Sequence, residues 1–181
     1  MKKFFAMMMA LAMLFSFAAC GGKTAEPTTA PTEAAAKVEG TMEELLNKVV
    51  EINPVEFMGG TVPIDLTDTS EDGLWNIKYN TGLDSAEGLT DAAMFGPMMG
   101  SMAFSMVMVR TAEGTDVKAI AEGMKKGIAP RKWICVEADD LQVVSYGDVV
   151  MLIMVDSTSG LTSQSFVDAF AQVCGGSVTT Y

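Results

Sequence analysis

The chain has 181 residues, of which twelve are Lys or Arg, twenty-three are Asp or Glu and none is His, for a formal charge of −11 at pH 7. Such an acidic surface disfavours nucleic acid and anionic lipid headgroups, both of which are bound by basic residues that neutralise phosphates. The absence of His removes the commonest base for activating a Ser or Cys, and the usual nitrogen ligand for zinc, copper or iron.

Lys2 and Lys3 precede a fourteen-residue apolar run from Phe4 to Phe17, which ends in Ala18, Ala19 and Cys20. This is the pattern of a secretory signal. The run is shorter than the roughly 20 residues that a membrane-spanning helix needs. Phe17-Ala18-Ala19-Cys20, followed by Gly21 and Gly22, resembles the lipobox of bacterial lipoproteins, although Phe17 stands where Leu is preferred. In that pattern the Cys thiol is alkylated by a diacylglyceryl group before cleavage. The alternative is an ordinary secretory signal with a chance Cys at its end. Lipidation at Cys20, with acyl chains such as palmitate, would anchor the chain to the extracytoplasmic face of the cell membrane without a spanning helix. Without residues 1–19 the chain keeps ten basic and twenty-three acidic side chains, a formal charge of −13.

Residues 23–40 are Ala, Thr, Pro, Glu and Lys with one Val, one Gly and no aromatic. They cannot bury enough apolar surface to offset ordering, so residues 20–40 read as a lipidated Cys and a disordered tether. Residues 41–181 suffice for one domain. Thr41 and Glu44 form a capping box before Met42, Leu45, Leu46, Val49 and Val50, a helical stripe that ends at Asn53-Pro54. Residues 61–66 read as a short strand that Pro63 confines to an edge. Residues 68–88 read as loops around one short element at 74–79. Residues 102–111 form a strand apolar on both faces, with Phe104, Met106 and Met108 on one and Val107 and Val109 on the other. Thr115 or Asp116 caps a helix whose stripe is Val117, Ile120, Ala121, Met124 and Ile128.

The apolar run 133–136 has no clear period. Residues 141–145 and 148–155 read as two strands joined in a tight hairpin at Tyr146-Gly147. Thr162 or Ser163 caps a last helix, which stops at Gly175-Gly176. The fold class expected is α+β, a small open antiparallel or mixed sheet with helices packed on one face, partly ferredoxin-like.

The segments 97–110 and 147–154, the helix after Asp116 and above all Pro130-Arg131-Lys132-Trp133-Ile134-Cys135-Val136 resemble an uncharacterised family of small lipoproteins from Firmicutes, chiefly Clostridia. The likeness spans residues 41–174 and implies a lipobox, a polar tether and a single domain. That family has no assigned catalytic or ligand residues, so no role is carried across.

The chemistry-bearing clusters each have a bland reading. Asp65, Asp68, Glu71 and Asp72 could offer oxygen ligands to Ca²⁺, but they lack the EF-hand spacing and equally make a solvated acidic loop. Met98, Met99, Met102, Met106 and Met108 invite a copper reading. Five of the sixteen Met lie in the signal, however, so Met substitutes here for Leu as packing. A carboxylate pair can hydrolyse glycosides, yet no spacing singles one out. Asp139-Asp140 reads as the turn before the hairpin. Gly59-Gly60 and Gly175-Gly176 read as turn or cap glycines, and no nucleotide or cofactor motif is present. Trp133 is either a core or rim anchor or a binding-site aromatic. Cys135 and Cys174 read as two buried free thiols rather than a bridge, because a domain of this size needs no staple.

The function that remains is a membrane-anchored binding or scaffolding module of the cell envelope. Its alternative is a structural or accessory lipoprotein that contacts another envelope protein. Mass spectrometry of membrane-extracted protein is expected to find an acylated peptide that begins at Cys20, and an unmodified N-terminus elsewhere would remove the anchor.

Overall fold

The computed structural model describes residues 37–181 apart from residue 101. The expected export signal, the candidate lipidation residue Cys20 and most of the expected tether lie outside the described residues. Among the described residues no helix is long and apolar enough to cross a membrane.

In chain order the elements are α1 (Met42–Ile52), β1 (Gly59–Pro63), α2 (Glu71–Thr81), β2 (Leu89–Pro97), β3 (Phe104–Thr111), α3 (Val117–Gly127), β4 (Asp140–Tyr146), β5 (Val149–Val155), α4 (Ser163–Cys174) and β6 (Thr179–Thr180). The strands form one open sheet in the order β1-β2-β3-β5-β4-β6, with every neighbouring pair antiparallel. The class is thus α+β with an open antiparallel sheet, as the sequence leads one to expect.

The helices do not lie on one face. Along β3, Phe104, Met106 and Met108 join α1 and α4 in one core, while Val107 and Val109 join α2 and α3 in another. Strand β5 is buried over its whole length and alternates in the same way, Met151 and Ile153 to the first core and Leu152 and Met154 to the second. A strand pair apolar on both sides needs cover on both sides, and a helix with one stripe covers only one. The first core is centred on Phe104, whose ring meets Phe57 and Phe166 edge-on at centroid distances of 5.1 and 5.2 Å.

The ferredoxin-like part begins at β3. From there the order is strand, helix, strand, strand, helix, strand, and β5 inserts between β3 and β4. The likeness ends with β6, which pairs with β4 at the edge, and with α3 and α4 on opposite faces.

Local signals were good guides to most boundaries. The capping box of Thr41 and Glu44 is formed. Asp116 caps α3, Thr162 caps α4, and Gly175 ends α4 in the left-handed conformation. Three elements differ from expectation. Strand β2, LTDAAMFGP, has poor strand residues and is drawn into the sheet by pairing with β1 and β3. Helix α2 fills an eleven-residue span expected to be mostly loop, capped by Ser70 and closed by Gly82 at φ +80°. Gly59 and Gly60 open strand β1 instead of making a turn, and a Cβ at Gly59 would overlap the Phe57 and Phe95 rings.

The folded part also starts before Thr41. Val38 is buried in the first core, and its amide donates to the Asp148 carboxylate at 3.0 Å. Asp148 is ion-paired with Arg110, both side chains being largely buried, and Arg110 also donates to the Gly40 carbonyl at 2.7 Å. Composition hid this, because a single Val in a polar stretch carries no periodicity. A chain beginning at Thr41 is expected to be less stable than one beginning at Lys23 by about 2–4 kcal/mol, the worth of one buried Val with its backbone hydrogen bond. Equal denaturant midpoints would show that the segment does not pack.

Candidate functional site

The sequence candidates are not brought together. Asp65 accepts from the Thr67 amide and hydroxyl at 2.8 and 2.7 Å, and Asp68 accepts from the Ser70 amide at 2.9 Å. Hydrogen bonding from the side chains, and then the backbone, of Thr67 and Ser70 holds both carboxyls below the usual range. Glu71 and Asp72 lie in the first turn of α2, where the helix dipole favours them. No three metal-ligating side chains converge among the described residues.

The methionines scatter. Met98 and Met99 are 70% and 75% exposed, whereas Met106 and Met108 are buried in the first core. Asp139 and Asp140 serve the fold, Asp139 by accepting from Ser157 and Asp140 by accepting from the Ser163 amide at 2.7 Å at the start of α4.

Both cysteines are free. Cys174 is half-buried against the first core, and burial, with Asp148 nearby, pushes its thiol up to about 12. Cys135 is exposed, contrary to expectation, at φ +66°. The run from Trp133 to Val136 is a loop tip, closed at its base by Ala138 N–H donating to Pro130 O at 2.9 Å and by an Arg131–Glu137 ion pair. Ile134 is consequently 84% exposed, while Trp133 turns inward against the second core.

That loop builds the one unusual polar constellation of the described residues. Helices α2 and α3 meet at their C-terminal ends, where Gly82 and Gly127 pack backbone to backbone and a Cβ on either would overlap the other chain segment. This brings Tyr79 of α2 against the loop that follows α3. Tyr79 Oη donates to the Lys132 carbonyl at 3.3 Å, and Lys132 Nζ donates in return to the Tyr79 carbonyl at 3.3 Å. The same ammonium donates to Ser105 Oγ at 3.0 Å. It also lies 4.8 Å from the Tyr79 ring centroid and 5.4 Å from that of Trp133, within cation–π range. Trp75 is stacked on Tyr79 at 4.8 Å and is 62% exposed.

Lys132 makes no ion pair among the described residues. Burial alone lowers its pKa from 10.5 to about 8. It lines a niche of about 190 Å³ together with Tyr79, Met94, Pro97, Phe104, Ser105 and Trp133. A broader depression of about 400 Å³ beside Leu83, Glu87 and Ile120 is open and carries no comparable group, since its Asp84 is paired with Lys78 at 2.7 Å.

Sequence reasoning singled out Trp133 but missed Lys132, Ser105, Tyr79 and Trp75. The available signal was Ser105, a buried polar residue at the second position of β3 among apolar neighbours. No family model, curated protein or solved structure matches the chain.

Desolvating an unpaired ammonium costs stability, and the sign with pH follows from the lowered pKa. Between about 8 and 10.4 the unfolded chain holds the Lys132 proton and the folded chain has released it, so stability rises with pH across that window. Lys132→Met is expected to stabilise the chain at pH 7 by about 1–2 kcal/mol, a value reduced by water reaching the half-buried group and by its lost hydrogen bonds. The advantage over wild type should shrink from pH 8 to pH 10. Denaturant midpoints across that range check it, and a constant difference would refute it.

Proposed function

We propose that the chain is a lipid-anchored binding module of the cell envelope, held through Cys20 at the outer face of the membrane and presenting the Lys132 niche as its binding site. The observation that carries this reading is the unpaired ammonium of Lys132, held among neutral acceptors and aromatic rings. Desolvating a charge that no opposite charge offsets costs stability, and local departures from good packing chemistry concentrate at functional sites. The signal, the lipobox-like Phe17 to Cys20 and the polar stretch behind them support export and anchoring. The likeness to small Firmicutes lipoproteins is part of the same proposal.

The accessory reading has one observation in its favour. Met58, Val62, Met98 and Met99 are exposed around the β1–β2 edge, and Met98 N–H donates to Met58 O at 3.0 Å, so two of them are neighbours. Native mass spectrometry of the lipidated chain extracted from its own membranes is expected to show a small-molecule adduct that Lys132→Met lacks. An unliganded wild-type chain that crosslinks to a second protein through Met98 and Met99 would put the accessory reading in its place.

A further inference from the structure

The niche also carries information about its ligand, an inference that rests on the binding reading above. We infer that it takes a small monocarboxylate with a flat apolar body, the carboxylate on Lys132 Nζ and the body against Trp133, Tyr79 and Met94.

The charge comes first. An ammonium has three protons to donate, and two are directed at Ser105 Oγ and the Tyr79 carbonyl. Both acceptors are neutral, so they satisfy hydrogen bonds without offsetting the charge. Of the carboxylates in the same loop, Glu137 is engaged by Arg131 at 2.7 Å and Asp139 accepts from Ser157. An anionic ligand supplies what the fold withholds, and a cationic one meets the same desolvated charge as a repulsion.

The number of donors then limits the anion. Phosphates are held by several cationic or backbone N–H donors, typically Arg forks or a helix N-terminus. Here one ammonium and one hydroxyl converge, enough for a single carboxylate. The rest of the lining is the Met94 thioether, Pro97, the two rings that flank the ammonium, and glycine and Phe104 backbone, the Phe104 ring itself lying in the first core. At about 190 Å³ the space lies below the roughly 300–1,000 Å³ of drug-sized sites. The ligand is therefore small, and a flat ring meets Trp133 and Tyr79 with the largest contact.

Lys132 binds the carboxylate only when protonated. Tyr79 is the other titratable side chain lining the niche, and no Asp or Glu lines it. The lowered Lys132 pKa of about 8 places the loss of affinity just above neutral pH.

The two tryptophans of the chain, Trp75 and Trp133, both border the Lys132–Tyr79 pair, so intrinsic emission reports on occupancy. The full chain is titrated at pH 7 with phenylacetate, acetate, inorganic phosphate, phenethylamine and benzyl alcohol. Phenylacetate is expected to give a saturable change, at least tenfold tighter than any of the others. Lys132→Met, its fold checked by denaturant midpoint, is expected to lose at least tenfold. At pH 9 only about a tenth of Lys132 remains protonated, so wild-type affinity is expected to fall about tenfold. Equal binding of benzyl alcohol or phenethylamine overturns the carboxylate assignment and leaves the niche as a binding site. Equal binding of acetate or phosphate overturns the apolar body. Emission that responds to none of the five overturns both this inference and the binding reading.

Discussion

The constraint on which the rest of the structure depends is that β3 and β5 are apolar on both sides and pair along their full length, from Phe104 opposite Val155 to Arg110 opposite Val149. Side chains in a strand alternate, so a pair of this kind presents two hydrophobic surfaces about one sheet thickness apart, each of which must be removed from water. With one stripe to each helix, the four helices must divide into two pairs. The division then sets which segments can meet. Because α2 and α3 share a face, the end of one and the loop after the other are neighbours, and the Lys132 niche forms at that meeting point.

The niche departs from this pattern at a single residue of β3. Every other position of that strand from Phe104 to Val109 contributes an apolar side chain to one of the cores, and Ser105 alone offers a hydroxyl. Burying a hydroxyl is tolerable only with a partner, and here the partner is a charged one from another element. The pair of Ser105 and Lys132 thus links the central strand to the loop that carries the exposed Ile134 and Cys135. Stability favours replacing Lys132, whereas the proposed binding role favours keeping it, a tension common at functional sites.

Much of the fold was legible because its signals are local. Thr41 with Glu44, Asp116 and Gly175 act within one turn of their own helix, and the β4–β5 hairpin joins strands adjacent in sequence, although its turn is Gly147-Asp148, one residue later than expected, because Tyr146 still pairs with Val149. What was not legible depends on distant partners. Strand β2 contains Asp91, Gly96 and Pro97, and nothing in those residues announces that Thr61 and Met106 will flank Phe95. Val38 lies in a stretch that composition marks as tether, and its burial depends on Asp148, 110 residues away. The candidate site was hidden for the same reason. Tyr79, Ser105 and Lys132 stand 26 and 27 positions apart in the sequence, and no motif spans them. Trp133 drew notice for being a Trp, while the residue beside it carried the chemistry. The carboxylates and methionines, which are conspicuous by number, turned out to serve turns, caps, packing and the surface.

The clamp formed by Val38, Gly40, Arg110 and Asp148 has a mechanical consequence. Any pull on the chain ahead of Val38 enters the fold where β3 ends and β5 begins, and it is met by the paired ends of the two innermost strands. Ser105 lies five residues back along β3, about 17 Å at roughly 3.3 Å per residue. A tug from the leading segment is thereby met at one end of the β3–β5 pair, while the Lys132 niche lies toward the other.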